Sequence, residues 1–248
     1  MGDYILEMID VSKVFPGVKA LQNITFKLRP GTVHALMGEN GAGKSTLMKC
    51  LLGLYQMNSG KILKYGEEII IRDPLEAAKN GIAMIHQELS TVNERSVAEN
   101  IFLGRQPTKV RIFIDHKKMY QQAEELLKSL NIDINPYEKM GNLTVAKMQL
   151  IEIAKAISYN SEIIIMDEPT SALTTKEVEQ LFNMIRNLKS KGVSIIYISH
   201  RLDEVFRLAD RITILRDGKK INTINKEDTN VQELIKHMVG RELTEVYP

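Results

Sequence analysis

The sequence predicts an α/β fold in which a parallel β-sheet core carries a phosphate-binding loop, with an antiparallel β subdomain beside it and a helical subdomain inserted into it. Three observations carry this. The apolar run Val33–Met37 leads into Gly38-Glu39-Asn40-Gly41-Ala42-Gly43-Lys44-Ser45-Thr46, a loop of the form G-x-x-x-x-G-K-[ST], and a helical pattern from Ser45 to Leu54 follows it. A second apolar run, Ile163–Met166, has the continuous hydrophobicity of a central strand buried on both faces and ends in Asp167-Glu168. From about residue 88 to 159 no long apolar strand occurs and helical spacing takes over.

In chain order, Tyr4 to Val11 and Gln22 to Leu28 read as antiparallel strands, then come the strand and helix around the glycine loop, then a hairpin within Gly60 to Ile71. Asp115 to Leu130 has helical periodicity with Asp115 placed as N-cap, and Ala146 to Ile157 sets Met148, Ile151, Ala154 and Lys155 at helical spacing. Val193 to Ile198 is an apolar strand, Asp203 to Ala209 a helix, Arg211 to Arg216 a strand turning at Asp217-Gly218, and Val231 to Val239 a final helix. The implied division is a nucleotide-binding α/β core, 1–87 and 160–248, with a helical subdomain at about 88–159. A chain of 248 residues suffices to bury the core of one such unit.

The residue types explain why the loop suits phosphate. Glycines leave the backbone without Cβ atoms, so successive N–H groups can wrap a β-phosphate while the helix N-terminus adds partial positive charge. Lys44 is placed to reach the β- and γ-phosphates and Ser45 to ligate Mg²⁺. Asp167 fits a role in holding the same metal through water, and Glu168, one step on, fits orientation or deprotonation of an attacking water. The plain alternatives are a glycine-rich turn before a core helix and two solvated carboxylates at a strand exit. Their joint presence favours the chemical reading.

Phe15, Gln87 in Met84-Ile85-His86-Gln87-Glu88, Leu143 to Gln149, Asp167-Glu168-Pro169-Thr170-Ser171-Ala172-Leu173-Thr174 and Ile198-Ser199-His200 occur in the order seen in ATP-binding-cassette ATPases, and the chain resembles that family over nearly its whole length. More narrowly, His86-Gln87-Glu88-Leu89, Ser96 to Arg105, Gln149 to Ala156 and Met238 to Leu243 resemble bacterial monosaccharide importers, the galactose/methyl-galactoside type first, with ribose and xylose importers near. The resemblance implies ATP and Mg²⁺. It assigns nucleotide contacts to Gly38, Asn40, Gly41, Ala42, Gly43, Lys44, Ser45 and Thr46, metal contacts to Ser45, Gln87 and Asp167, and catalysis to Glu168, His200, Lys44 and Gln87. Phe15 matches the aromatic that stacks on adenine, although a ring there equally suits a small core. Gln87 matches the glutamine that approaches metal and water and signals to the membrane subunit. His200 matches the histidine that contacts the γ-phosphate; a lone histidine is usually structural, and its register with the other motifs reverses that reading. Ser171 to Thr174 match the loop by which two cassettes sense each other.

Leu143 to Gln149 departs from the family pattern Leu-Ser-Gly-Gly-Gln, which clasps the γ-phosphate held by the opposite cassette. Thr144 keeps a hydroxyl, Val145 and Ala146 replace both glycines with residues bearing Cβ atoms, and Lys147 replaces the glutamine. The segment is therefore expected to pair poorly with nucleotide and to make the two composite sites of a dimer unequal.

The resemblance further implies a second cassette, an integral membrane permease and, through it, an extracytoplasmic sugar-binding protein, with this chain peripheral at the cytoplasmic face of the inner membrane. Such importers usually fuse two cassettes. The single phosphate loop, the lack of an internal repeat and the ending Arg241 to Pro248 read as an N-terminal half. Lys+Arg 33 against Asp+Glu 31 gives a net charge of +2, too balanced to predict nucleic-acid binding from bulk charge. The single cysteine, Cys50, excludes an internal disulfide framework and reads as a small core residue. No run approaches the roughly 18 apolar residues of a membrane span, and Met1 to Leu6 shows neither a leader nor a myristoylation pattern. A soluble cassette protein outside transport and a regulatory cassette with little hydrolysis share the nucleotide motifs. The importer-like segments speak against the first, and Glu168 with His200 against the second.

Overall fold

The computed structural model describes residues 3–86, 90–109 and 113–239. The strands are β1 (Leu6–Phe15), β2 (Val18–Leu28), β3 (Val33–Met37), β4 (Ser59–Lys64), β5 (Glu67–Ile69), β6 (Ile82–Ile85), β7 (Thr108–Lys109), β8 (Phe113–Ile114), β9 (Ile163–Asp167), β10 (Ser194–Ile198), β11 (Arg211–Arg216) and β12 (Lys219–Asn225). The helices are α1 (Lys44–Leu51), α2 (Pro74–Lys79), α3 (Val97–Ile101), α4 (His116–Ser129), α5 (Val145–Ile157), α6 (Thr175–Ser190), α7 (Leu202–Leu208) and α8 (Val231–Val239). One sheet runs β2-β1-β4-β5 and is antiparallel. The other runs β12-β11-β3-β10-β9-β6; its pairs are parallel except for the β11–β12 hairpin.

The period of two along the central strands explains why they read as unbroken apolar runs. Ile163, Ile165, Ile196 and Ile198 pack into a cluster with Leu47, Met48 and Leu51 of α1 and with Leu6, Met8, Ile24 and Phe26 of the antiparallel sheet. The alternate residues Ile164, Met166, Ile195 and Tyr197 face a different cluster that includes Phe182 and Ile185 of α6, Ile151 of α5 and Met119 and Ala123 of α4. Each strand is apolar at every position because both faces are covered. α1 is thus clamped between two sheets, and Cys50 is buried there as the sequence implied.

Asp115 caps α4 by accepting from the Lys118 N–H at 3.2 Å, as its spacing predicted. The hairpin turn at Asp217-Gly218 has φ of 51° and 70°, the paired positive values of a tight two-residue turn. The helix after the glycine loop stops at Leu51, short of Leu54, because the chain turns at Gly53, with φ 72°, where a Cβ would stand 2.5 Å from the Asp73 N. The first strand runs on to Phe15, beyond Val11. The sequence pattern singles out no element at β6, α2 or α6; β6 is a four-residue edge strand, Asp73 with Pro74 starts a helix of six residues, and Thr174 with Glu177 opens the sixteen residues of α6. The ending Gly240 to Pro248 and the residues Gln87, Glu88 and Leu89 lie outside the described residues.

Leu47 has no exposed surface and is packed between the two sheets. Leu47→Ala is expected to cost about 2–5 kcal/mol, read as a lowered urea midpoint with an unchanged m-value.

Candidate active site

Three of the candidate segments, Phe15, the glycine loop between Asn40 and Thr46, and Asp167-Glu168, converge on one open cleft of about 860 Å³. The loop leaves β3 and enters α1, so its position is dictated by the sheet. Gly43 sits at the N-cap of α1 with φ 104° and offers no side chain to cap the helix. The first-turn N–H groups therefore face the cleft as an anion-binding end. Gly38 is the position where only glycine fits: φ is 150°, and an added Cβ would lie 2.3 Å from the Leu215 carbonyl oxygen and 2.9 Å from the Ala42 Cβ. The loop is thereby wedged against β11, which keeps its amides turned to the cleft.

Lys44 is largely buried, and its Nζ donates to the carbonyl oxygens of Gly38 at 2.7 Å and Glu39 at 3.0 Å. Burial pulls its pKa below the ordinary lysine value, while Glu168 and Asp167 pull the other way. Asp167 ends β9, where burial and the adjacent Glu168 carboxylate push its pKa up, against the pull of Lys44. Glu168 is held in the left-handed region at φ 46°, its N–H donating to the Ile198 carbonyl at 2.9 Å. For a residue with a Cβ that conformation costs about 1–2 kcal/mol, and such strain collects at functional sites. His200, after β10, places Nδ1 3.0 Å from Glu168 Oε1; the carboxylate accepts, so Nδ1 carries the proton.

Other residues of the cleft were not linked to the site by the sequence. Lys19 and Ala20 of β2 and the Asp217-Gly218 turn form its far wall. They meet because Gln22 N–H donates to the Gly218 carbonyl at 2.7 Å, and Gly218 leaves only 2.7 Å between an added Cβ and the Ala20 oxygen. The turn was legible as a turn; its partner, nearly two hundred residues away, was not. Phe15 is half-buried, edge-on to Tyr55 at a centroid distance of 5.2 Å, with Lys13 Nζ 5.1 Å from its ring.

Thr144, Val145, Ala146 and Lys147 do not line this cleft. They open α5, where the Thr144 hydroxyl oxygen accepts from the Lys147 N–H at 3.4 Å. Gln87 lies outside the described residues, next to His86, whose charge is felt at Asp167. Among the described residues no group of three or more His, Cys, Asp or Glu side chains could hold a metal ion alone. A hydroxyl and one carboxylate beside a phosphate pocket instead suit Mg²⁺, which is usually held by few protein oxygens together with substrate phosphates.

The profile of the ABC transporter family matches residues 21–171. The chain belongs to the ABC transporter family. Within it, the chain is 54% identical over 244 residues to a galactose/methyl galactoside import ATP-binding protein, MglA, of Clostridium perfringens, covering 98% of this chain and 47% of that protein. It is 55% identical over 245 residues to the protein of that name from Fusobacterium nucleatum, covering 99% of this chain and 49% of the relative. With that of Escherichia coli K12 the identity is 53% over 247 residues, covering 100% and 49%. The chain thus spans about half the length of the curated relatives it matches. Among solved ABC transporter structures, a nucleotide-free ATP-binding cassette superposes with TM-score 0.82 at 27% identity over 96% of both chains. An ATP-binding cassette in its ADP conformation gives 0.81 at 25% over 96% of this chain and 99% of that one.

Two predictions follow from this geometry. Gly38→Ala should abolish nucleotide binding and lower stability, whereas Gly41→Ala, with φ 84° and open space around the added Cβ, should fold and cost about 1–2 kcal/mol; titration with a fluorescent nucleotide and thermal unfolding separate them. Because the folded-state pKa of Asp167 is raised, the stability it lends is present at low pH and is lost as pH rises through that value, so its ionised form weakens the empty protein at neutral pH. Asp167→Asn should therefore raise the melting temperature of the nucleotide-free protein, by roughly 2–4 °C for each kcal/mol relieved, while Mg²⁺-dependent nucleotide binding falls.

Proposed function

We propose that this chain is an ATP-binding and ATP-hydrolysing cassette that powers import of a monosaccharide, of the galactose/methyl-galactoside or ribose class, through a membrane permease. One observation carries the chemistry: Lys44, Asp167 and Glu168 line one cleft with the glycine loop, and His200, from a third strand end, contacts Glu168 at 3.0 Å. The transport assignment is supported by the 53–55% identity to MglA proteins.

In this reading the loop amides and Lys44 bind and orient the triphosphate, and Phe15 packs on the base. Ser45 and Asp167, with Gln87, would hold Mg²⁺, which supplies neutralisation of phosphate charge when bound. Glu168 orients a water and accepts its proton as the oxygen attacks the γ-phosphorus and the bond to the ADP oxygen breaks. His200 donates from Nδ1 to Glu168, and in its doubly protonated form would donate from Nε2 to a phosphoryl oxygen. A second cassette would complete the site through its own signature segment, and Thr144 to Lys147 of this chain would face the partner's loop. Closure would act on the permease through the region of Gln87, where the core of 1–87 and 160–248 gives way to a helical subdomain spanning about 88–159. An extracytoplasmic binding protein would deliver the sugar, and the cassette would sit peripherally on the cytoplasmic side. No helix among the described residues is long and apolar enough to cross a membrane.

The test is Mg²⁺-dependent phosphate release measured across a concentration series of the chain, with Lys44→Ala and Glu168→Gln. Turnover per molecule that rises with concentration and disappears in Lys44→Ala supports hydrolysis by paired copies. Glu168→Gln should retain ATP and lose about 10²–10⁴ in rate. The isolated chain is expected to turn over slowly, and a flat, near-zero rate with ATP still bound marks a half-site without its second cassette; equal rates in all three proteins with no ATP binding by the wild type would defeat the proposal.

A further inference from the structure

Directly behind His200 lies a buried carboxylate with no role in the chemistry proposed above. Glu204, in the first turn of α7, is 1% exposed, although α7 needs no buried acid to form. Its Oε2 accepts from the Tyr197 hydroxyl at 2.8 Å and from the Ser199 hydroxyl at 3.0 Å, and its Oε1 stands 3.0 Å from Arg201 Nη1. Taking a carboxylate out of water is costly unless several donors surround it. The two hydroxyl donors and the Arg201 cation, which pairs with Oε1 by charge and without a hydrogen bond, come from the five residues that end β10 and form the turn carrying His200.

The arrangement is specific to that turn. Ser199 and Arg201 flank His200, and the Arg201 N–H donates to Ser199 Oγ at 3.0 Å, so the residues on either side of His200 are tied to each other and to the same carboxylate. His200 itself stays at the exposed apex, reaching Glu168. The second catalytic loop is tied in as well. The Glu168 N–H donates to the Ile198 carbonyl at 2.9 Å, and the buried Thr170, two residues after Glu168, meets the Tyr197 hydroxyl that Glu204 holds. Burial and the Glu204 charge push the Tyr197 hydroxyl's pKa up, so it remains a donor.

We infer that Glu204 is a positioning residue: through Ser199, Arg201 and Tyr197 it sets the backbone at His200 and with it the contact between His200 and Glu168. A helix-terminal acid alone would gain from the α7 dipole while staying in water; Glu204 instead faces inward and gathers both flanks of a catalytic histidine. The inference rests on the proposed hydrolysis for its consequence, and on the present contacts for its geometry.

The experiment compares wild type, Glu204→Gln, Ser199→Ala and, as the reference for a lost pair, Glu168→Ala. The imidazole ¹⁵N resonances of His200 in the nucleotide-free protein report whether Nδ1–H is still donated, and do not depend on turnover. Glu204→Gln and Ser199→Ala should both move them toward the Glu168→Ala spectrum. Where wild type hydrolyses ATP, kcat should fall about tenfold to a hundredfold, the scale of a small misplacement, with KM for ATP within about twofold. If Glu204→Gln does not fold, Ser199→Ala, which removes one hydroxyl from the same linkage, decides alone. His200 resonances identical to wild type in every folded variant would overturn the inference, and so would a loss in which kcat and ATP affinity fall together. A wild-type chain that neither binds nor turns over ATP defeats the proposed hydrolysis and leaves the His200 spectrum to decide the positioning role.

Discussion

The parallel pairing of β3, β10 and β9 decides where every reactive group of the cleft stands. Leu36 pairs with Ile198, and Ile198 with Asp167, so the glycine loop, His200 and Glu168 leave the sheet at the same level. Ile85 of β6 pairs with Met166 one strand further out, which brings the chain at His86 to the same edge. In open α/β sheets the crevice beyond the carboxyl ends of the strands is where ligands bind. Here that rule has a packing cause: because both faces of these strands are covered by helices or by the second sheet, a shift of one residue in register would turn Ile163 and Ile165 away from α1 and bring in Ile164 and Met166. A register specified by the core is therefore also the register of the groups proposed for catalysis.

That edge is held under electrostatic and conformational load. Lys44 and Asp167 are both shifted against their charged forms by burial, and Glu168 adopts a left-handed backbone although it carries a Cβ. None of these improves the empty protein. A polyanion and a divalent cation in the cleft would favour the charged forms of Lys44 and Asp167, since charge in a desolvated site interacts more strongly than in water. The stability of the fold is supplied elsewhere, by α1 clamped between two sheets and by α5 and α6 on the opposite face, which leaves the loops free to serve binding rather than packing.

What the sequence made legible follows contacts close along the chain. The glycine loop, Asp167-Glu168, the Asp115 cap and the Asp217-Gly218 turn each have their cause within a few residues, and all were readable. Lys19 and Ala20 at the cleft, Tyr55 against Phe15, and Glu204 behind His200 acquire their roles only through contacts that folding creates. The Gly218–Ala20 approach spans almost the whole chain, and nothing near Ala20 announces it. Glu204 is only four residues from His200, yet an acid in the first turn of a helix is so ordinary that burial alone distinguishes it. β6 was overlooked for a different reason: four residues on a sheet edge give too short a run to separate strand from helix.

The altered signature segment reads differently once its side chains are placed. Replacement of two glycines adds two Cβ atoms, but they do not point the same way: Ala146 is 6% exposed and packs inward, whereas Val145 is 43% exposed at the outer end of α5. The steric penalty toward a nucleotide arriving from outside thus falls on Val145 alone. Thr144, meanwhile, uses its hydroxyl oxygen to accept from the Lys147 N–H, at a long 3.4 Å. A hydroxyl acting as cap acceptor can still donate its own proton outward, so the cap does not disable it. Lys147 is exposed and lies three residues past Thr144, adding a cation at an end of the helix that already favours anions. If a second cassette presents a triphosphate here, attraction from Lys147 and the helix end opposes crowding by Val145. The segment is then better described as a weakened anion site with one obstructing side chain than as a site whose backbone has been closed off.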